Sequence, residues 1–464
     1  MEEPLYSGID FVMLPFYVAI IFFFARRVQN LNQESNPLYK YYTRGLMAKI
    51  LAGFLVCLIY IFYYGGGDTI GYFVSSRLVS KMLFVDPEVY FSVMAGNLTI
   101  ENLNVYYTKG LCCPDYYRDA QSFSVVRFAS PFILLSGNNF FAATALFAWV
   151  SYSGIWRLFM LFCKLFPSIS AKIATSILFI PSVMFWGSAI LKDTITFSSL
   201  CWVTVSVYYL FIKPERRFSH AISLAIAVYL IISIKPYIFV AILPGATIWV
   251  LYNRISSISN PIIRLSVAPV ILLIGLGIST LLFSTFSESL GDYGSVDKAL
   301  NKAVVTKNDL TREAYGQNSF DIGEIDGSVS GLLVKFPEAY MAGMFRPYFW
   351  DVTNPVMLMS ALENSFLLFM FIRLLLRSGP GFFIRVFSNP VLIFCFVFTI
   401  FFAFALGITT ANFGALVRYK IPAIPFFLLM IYIMESGKDK ASNSQEPEPV
   451  SESQTTTYEV VETQ

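Results

Sequence analysis

The residues of this chain that could do chemistry are a few charged side chains in short turns between apolar runs. Asp68 follows three consecutive glycines at the end of one such run. The other members of the set are Lys192, Asp193, Lys235, Arg346, Arg418 and Lys420. A carboxylate held in a turn can accept a proton, and ammonium and guanidinium groups bind phosphate through charge-assisted hydrogen bonds. The set therefore predicts a site that binds an anionic substrate and does proton or sugar chemistry on it.

These residues also have ordinary structural interpretations, which the sequence leaves open. Asp68 could cap the helix that follows it, since Asp is a common helix-capping residue. Lys192 and Asp193 could form a local ion pair, or Asp193 could cap the next helix. Arg418 could anchor its segment at a membrane interface beside the adjacent tyrosine.

The composition determines which class of protein can hold these turns. Hydrophobic residues make up 56% of the 464 residues and charged residues 14%, and the mean hydropathy is +0.63. These values exclude a soluble domain with an ordinary charged surface. The net charge of +3 is too small and too dispersed to indicate nucleic-acid binding. We therefore expect an all-α integral membrane protein.

About eleven apolar segments are long enough to be predicted as transmembrane helices. They are residues 8–25, 45–64, 140–162, 169–186, 194–212, 218–233, 236–252, 265–286, 355–376, 390–408 and 421–434. Two long loops, about 65–139 and about 287–354, lie between them, and an interfacial helix is predicted near 125–135. Residues 1–434 thus form one membrane domain. Residues 435–464, rich in Ser, Thr, Glu and Gln, predict a disordered tail.

Lysine and arginine are concentrated in alternate loops, for example Arg26 with Arg27, and Lys213 with Arg216 and Arg217. Cytoplasmic loops hold the excess of basic residues, so these loops are predicted to be cytoplasmic. The amino terminus and both long loops are then extracytoplasmic, and the tail is cytoplasmic. The charged turns of the site lie on the outer face, against the usual charge bias. The expected location is a bacterial-type inner membrane.

Three short motifs occur in an order that resembles a known family. They are a Gly-rich turn with an acid and a tyrosine (Gly67, Asp68 and Tyr72), a later outer turn with a basic residue (Lys192), and a closing Arg-Tyr-x-x-Pro element (Arg418, Tyr419 and Pro422). This layout resembles EpsG-like exopolysaccharide polymerases and, more widely, the GT-C class of membrane glycosyltransferases. The resemblance implies substrates that are polyprenyl-phosphate or polyprenyl-diphosphate sugars, and an acid in the first large outer loop.

The expected function is a glycosyltransferase or polysaccharide polymerase that acts on polyprenyl-(di)phosphate-linked sugars at the extracytoplasmic face. Asp68 would deprotonate or orient the acceptor hydroxyl, while Lys192, Lys235 and Arg418 neutralise the departing lipid diphosphate. The remaining predicted substrate-binding residues are Asp193, Arg346 and Lys420. No cofactor is indicated by the sequence. A divalent cation is left open as an alternative, although the first outer loop lacks a clear paired-acid motif that would bind it. Expected partners are the lipid-linked glycan, membrane lipid and other proteins of a glycan assembly pathway.

Two other functions remain open on the sequence alone. A transporter or flippase of a lipid-linked glycan would use the same cations for the headgroup, but it should carry ionisable groups along a path through the membrane. Glu363 is the main such group in the predicted spans, and its expected partner is one of the basic residues of the set. In a non-catalytic membrane scaffold, the outer charges would be incidental.

Overall fold

The computed structural model describes residues 4–111, 113–255 and 329–443, with a few isolated positions between 256 and 328. Within these residues the regular structure is helical, apart from an isolated β-bridge between Ser319 and Asn412. The prediction of an all-α protein is confirmed for this part of the chain.

Twelve α-helices precede residue 256 in the described part of the chain. They are α1 (Gly8–Gln33), α2 (Tyr42–Leu58), α3 (Asp68–Val85), α4 (Pro87–Ala95), α5 (Ile100–Thr108), α6 (Ala120–Leu135), α7 (Phe140–Leu165), α8 (Ser170–Leu178), α9 (Pro181–Trp186), α10 (Lys192–Val207), α11 (Arg217–Ile234) and α12 (Pro236–Ile255). Beyond residue 328 the described helices are α13 (Val329–Phe345), α14 (Pro355–Ser378), α15 (Gly381–Ser388), α16 (Pro390–Thr409), α17 (Phe413–Tyr419) and α18 (Ala423–Asn443). α2 and α10 continue into π-helical turns, Ile59–Tyr63 and Tyr208–Ile212.

Seven helical segments of the described residues are long and apolar enough to cross a membrane. They are Gly8–Gln33, Pro37–Tyr63, Phe140–Leu165, Lys192–Ile212, Arg217–Ile234, Pro355–Ser378 and Pro390–Thr409. There is an eighth if α17 and α18, which are bent by 59° at their junction, form one broken span. The chain is therefore a multi-pass membrane protein.

The predicted fourth span, 169–186, is instead two short helices, α8 and α9. Pro181 is the first residue of α9, and a proline inside a continuous helix would remove a backbone donor and clash with the preceding turn. The helix therefore ends before Ile180 and restarts at Pro181. This break separates α9 as an independent six-residue element.

The first long loop is not an open segment, because α3 to α6 occupy most of it. Polar residues explain why these helices begin where they do. Asp86 accepts a hydrogen bond from the Val89 amide, and Thr99 accepts one from the Asn102 amide. Such side chains satisfy amide groups that the first helical turn leaves free. The helix predicted near 125–135 is α6, which packs against α3.

Other predictions fall at or beyond the limits of the described residues. α18 runs to Asn443, so the first nine residues of the predicted tail, 435–443, are helical. The apolar run ends at Met434, but backbone hydrogen bonds carry a helix past the end of its apolar surface. Residues 444–464 and most of both the predicted span 265–286 and the predicted loop 287–354 lie outside the described residues.

The carboxyl-terminal helices are held close together by small residues. A Cβ atom added at Gly343 of α13 would overlap the Ala403 carbonyl of α16, and one added at Gly407 would overlap the Ala339 carbonyl. Small residues permit this close backbone approach between helices in a membrane. α16 also packs on α12 and on α18, the helix that follows α17.

Candidate active site at one end of the bundle

Four charged residues from distant parts of the chain form a continuous ionic cluster at one end of the helices. We define this ionic cluster as Asp68, Arg418, Asp193 and Lys235. They come from the start of α3, the end of α17, the start of α10 and the connection between α11 and α12. The structure thus brings together four of the seven predicted site residues by direct contact.

The glycines before Asp68 determine its position. Gly65, Gly66 and Gly67 have φ angles of +67°, +159° and +111°, a region that residues with a Cβ rarely occupy. A Cβ at Gly67 would also lie 2.9 Å from the ring of Tyr60. This turn brings the chain from the end of α2 directly into α3, with Asp68 as its first residue.

The interpretation of Asp68 as a helix cap is wrong. α3 begins at Asp68 itself, Gly67 occupies the capping position, and no side-chain capping bond is present. The carboxylate instead contacts Arg418, with 2.9 Å between Asp68 Oδ2 and Arg418 Nη1. The side chain of Asp68 is 40% exposed. It is therefore a carboxylate that solvent or a substrate can reach.

Arg418 lies between two acids. Its Nη2 atom is 3.2 Å from Asp193 Oδ2, and its Nη1 also donates to the Tyr60 hydroxyl at 3.2 Å. The guanidinium lies 5.6 Å from the ring centroid of Trp186, and its Nε has no hydrogen-bond partner among the described residues. The planar group is therefore held in a fixed orientation by groups on three sides.

Asp193 is the buried centre of the ionic cluster. Lys235 Nζ lies 2.5 Å from Asp193 Oδ1, and the two side chains are 6% and 1% exposed. The Lys235 ammonium also lies 4.2 Å from the ring centroid of Tyr419. Buried charges are costly unless they are paired, so Asp193 compensates the two cations that it contacts.

Lys192 lies beside the ionic cluster and contacts a residue that sequence analysis missed. Its Nζ is 3.8 Å from Asp119 Oδ2, and its charge also interacts with Asp68 and Asp193. Burial raises the pKa of Asp119, but a hydrogen bond from Ser122 and the Lys192 ammonium outweigh it, so the pKa lies below its ordinary value. Asp119 also caps α6, and an acid a few residues before the apolar run 125–135 was the signal available in the sequence.

Lys420 and Arg346 lie in a neighbouring polar group. Lys420 is 1% exposed and donates to the carbonyls of Met344 and Arg346, at 3.4 and 2.9 Å, and to the Asn364 side chain. The Arg346 guanidinium is 3.9 Å from Asp351. The contacts of Lys420 connect the end of α13 to α14 and to the junction of α17 and α18.

Glu363 makes its hydrogen bonds to Ser182 rather than to a cation. The Ser182 amide donates to Glu363 Oε2 at 2.9 Å, and the Ser182 hydroxyl donates to Oε1. The Glu363 charge also acts on Lys420. The predicted cation is thus not in direct contact with Glu363 in the described part of the chain, and the amide and hydroxyl of Ser182 supply its hydrogen bonds instead.

At this end of the bundle an exposed carboxylate, which can accept a proton, lies beside several fixed cations, which can bind an anion. Within the described residues, no group of three His, Cys, Asp or Glu side chains could hold a metal ion. Each acid here instead has a basic partner. No protein-family model, curated protein or solved structure matches this chain.

Proposed function

We propose that the protein is a membrane glycosyltransferase or polysaccharide polymerase that uses polyprenyl-(di)phosphate-linked sugars at the extracytoplasmic face. The observation that carries the proposal is the contact between the exposed Asp68 carboxylate and Arg418, which is itself held by buried Asp193. A base that an acceptor can reach and a fixed guanidinium for a phosphate group are the two functions that this transfer requires.

The ionic cluster and its neighbours Lys192 and Asp119 are balanced in charge before a substrate binds, with three acids and three bases. A diphosphate brings additional negative charge and can form paired hydrogen bonds with a guanidinium. In our proposal it replaces Asp68 at Arg418 Nη1, because Asp68 is the more exposed of the two carboxylates on this group. Asp193 stays in place and keeps the guanidinium oriented.

Once the diphosphate has replaced it at Arg418, the Asp68 carboxylate has an oxygen free to accept a proton. The acceptor hydroxyl oxygen then attacks the anomeric carbon of the donor sugar, and its proton passes to Asp68. The bond from that carbon to the diphosphate oxygen breaks, and both bonding electrons leave with the diphosphate. Arg418 and Lys192 stabilise the negative charge of the leaving group.

A groove beside Lys192 supports a lipid-linked substrate. α6, α7, α10 and α11 enclose a cavity of about 250 Å³, and carbon atoms form most of its surface. On α10 it is lined by Ile195, Ser199 and Trp202, which follow Lys192 at the spacing of one helix face. On α10 the lining therefore runs about 10 Å along the helix, from Ile195 to Trp202 at 1.5 Å per residue, and it begins about one turn after Lys192. A hydrocarbon chain can lie there while its phosphate remains near Lys192.

The proposed topology has about eleven spans, with α8 and α9 together making the fourth crossing, an external amino terminus and a cytoplasmic carboxyl terminus in a bacterial-type inner membrane. Ion pairs at the other end of the helices support the orientation. Lys164 is 3.4 Å from Glu215, and Arg373 and Lys172 are 3.7 and 3.9 Å from Glu435. These basic residues belong to the loops that the charge bias assigns to the cytoplasm.

The transporter interpretation has less support. It calls for ionisable groups that line a path through the membrane. Two such groups on the predicted spans, Glu363 and Lys49, are bonded to the backbone at the two ends of α9. These contacts give them a structural role that does not involve a moving substrate.

The test is product formation by purified protein in lipid nanodiscs that contain a polyprenyl-diphosphate sugar and an acceptor. Asp68→Asn keeps the side-chain volume but removes the base, so turnover should fall by about 10²- to 10⁴-fold while donor binding persists. Arg418→Ala should weaken donor binding first, by about 1.5 to 3 kcal/mol, because a charge-assisted contact is lost. Glu215→Gln, at the opposite end of the helices, is the matched control. Unchanged product formation by Asp68→Asn would contradict the proposed role.

A further inference from the structure

α9 is a six-residue helix whose two ends are each bonded to a charged side chain from a different membrane helix. It packs against α2, α14 and α17, and Val183 and Trp186 on it are buried. A helix this short leaves most of its backbone amides and carbonyls without partners inside the helix. Something else in the apolar interior must satisfy them.

The amino-terminal end of α9 is bonded to Glu363 of α14. This carboxylate accepts from both the amide and the hydroxyl of Ser182, the second residue of the helix. Negative charge is favourable at this end, because the free amides give it partial positive charge. Pro181 at the first position has no amide hydrogen to satisfy.

The carboxyl-terminal end of α9 is bonded to Lys49 of α2. Lys49 is 3% exposed, and its ammonium donates to the carbonyl of Gly187, the residue that ends the helix. Positive charge is favourable at this end, which carries partial negative charge. The two intramembrane charges, 314 residues apart in the chain by number, therefore complement the same helix dipole with the correct sign at each end.

α9 directly adjoins the ionic cluster. Trp186, its last residue, lies 5.6 Å from the Arg418 guanidinium, and six residues later the chain enters α10 at Lys192. A displacement of α9 would therefore move the aromatic surface beside Arg418 and the start of the helix that carries Lys192 and Asp193. The position of α9 affects both sides of the proposed phosphate site.

We propose that Glu363 and Lys49 are positioning residues that hold α9 by its two ends and thereby fix Arg418 and Lys192 for phosphate binding. Neither residue contacts the reacting atoms. The link to phosphate binding rests on the proposed function, whereas the restraint of α9 does not. This assigns a role to two charged residues in the membrane that the transfer chemistry itself does not use.

Hydrogen exchange of residues 181–191 in the purified, lipid-embedded protein tests the restraint without any substrate. Glu363→Gln, which removes the charge but keeps an acceptor, should raise exchange in this segment moderately, and Glu363→Ala should raise it by about tenfold or more. Lys49→Met should also raise hydrogen exchange in residues 181–191, and Lys49→Arg should keep exchange there close to that of the unmodified protein. Exchange within α16, which lies away from these contacts, should not change.

Donor kinetics test the link to phosphate binding. The KM for the polyprenyl-linked sugar should rise about 10-fold in Glu363→Gln and Lys49→Met, while kcat changes less, since the donor site is displaced but Asp68 remains. In the double variant the effects should be less than additive, because both residues act on one helix. Glu435→Gln and Lys164→Met, on ion pairs at the other end of the helices, are the matched controls.

Each outcome separates the two proposals. Increased exchange confined to 181–191, in a protein that forms no glycan product, would retain the positioning role and reject the proposed function. Unchanged exchange in that segment, or an equal increase throughout the chain, would overturn the positioning role even if product is formed. If Glu363→Ala does not fold, Glu363→Gln and the Lys49→Arg comparison give the same decision.

Discussion

Asp193→Asn should destabilise the protein strongly, because Asp193 is the carboxylate that compensates two cations. Lys235 Nζ and Arg418 Nη2 lie 2.5 and 3.2 Å from its two oxygens, and its side chain is 1% exposed. After the substitution Arg418 still contacts Asp68, but Lys235 loses its ion pair and keeps its contact with the Tyr419 ring. An uncompensated buried ammonium is the expected cause of the loss.

The magnitude follows from the two contacts. Hydrogen bonds to charged groups contribute about 1.5 to 3 kcal/mol each, which gives about 3 to 6 kcal/mol for two. Removal of one partner from a buried ion pair costs about 3 to 5 kcal/mol. Because the side-chain amide introduced by Asp193→Asn can still accept one hydrogen bond, we expect a loss of about 3 kcal/mol in the free energy of unfolding.

A second substitution distinguishes this cause from a general packing defect. Asp193→Asn combined with Lys235→Met removes both members of the pair, and replacement of a buried pair by apolar groups is often neutral or stabilising. The double variant should therefore be more stable than Asp193→Asn alone, by about 2 kcal/mol. The control is Lys164→Met, whose partner Glu215 is 44% exposed, and its effect should be below about 1 kcal/mol.

The assay is reversible unfolding by denaturant in mixed micelles, followed by circular dichroism, which requires no substrate. Two results would refute the reasoning. One is a single variant that is as stable as the unmodified protein. The other is a double variant no more stable than the single one. That result would mean that Lys235 needs no counter-ion, and that Asp193 contributes by packing or by binding substrate.

Two further predictions concern the orientation and the groove. A cysteine introduced at Gly110 should react with a membrane-impermeant maleimide in intact cells and one at Lys213 should not, and the reverse pattern would reject the topology. Ser199→Phe should fill part of the groove and raise the KM for a long-chain donor by about tenfold, while the KM for a donor with a short lipid stays unchanged; an equal rise for both donors would place the hydrocarbon chain elsewhere.

The local composition of the chain determined its class and its candidate residues. A run of about 20 apolar residues has few alternatives to a membrane helix, since the hydrocarbon cannot satisfy backbone polar groups. A charged residue in a short turn beside such a run, such as Asp68, Lys192 or Arg418, stands out for the same reason. Three consecutive glycines likewise indicated the turn that carries Asp68.

Only the tertiary structure decided which of these charges meet. Asp68 and Arg418 are 350 positions apart, and their contact depends on how the helices are arranged in the bundle, which no local pattern encodes. The same holds for Asp193, whose burial between two cations makes it their counter-ion, and for Asp119, which in the sequence has the pattern of an ordinary helix cap. Apolar periodicity specifies that a helix exists, whereas the pairing of charges at its ends depends on close contacts between helices distant in the chain.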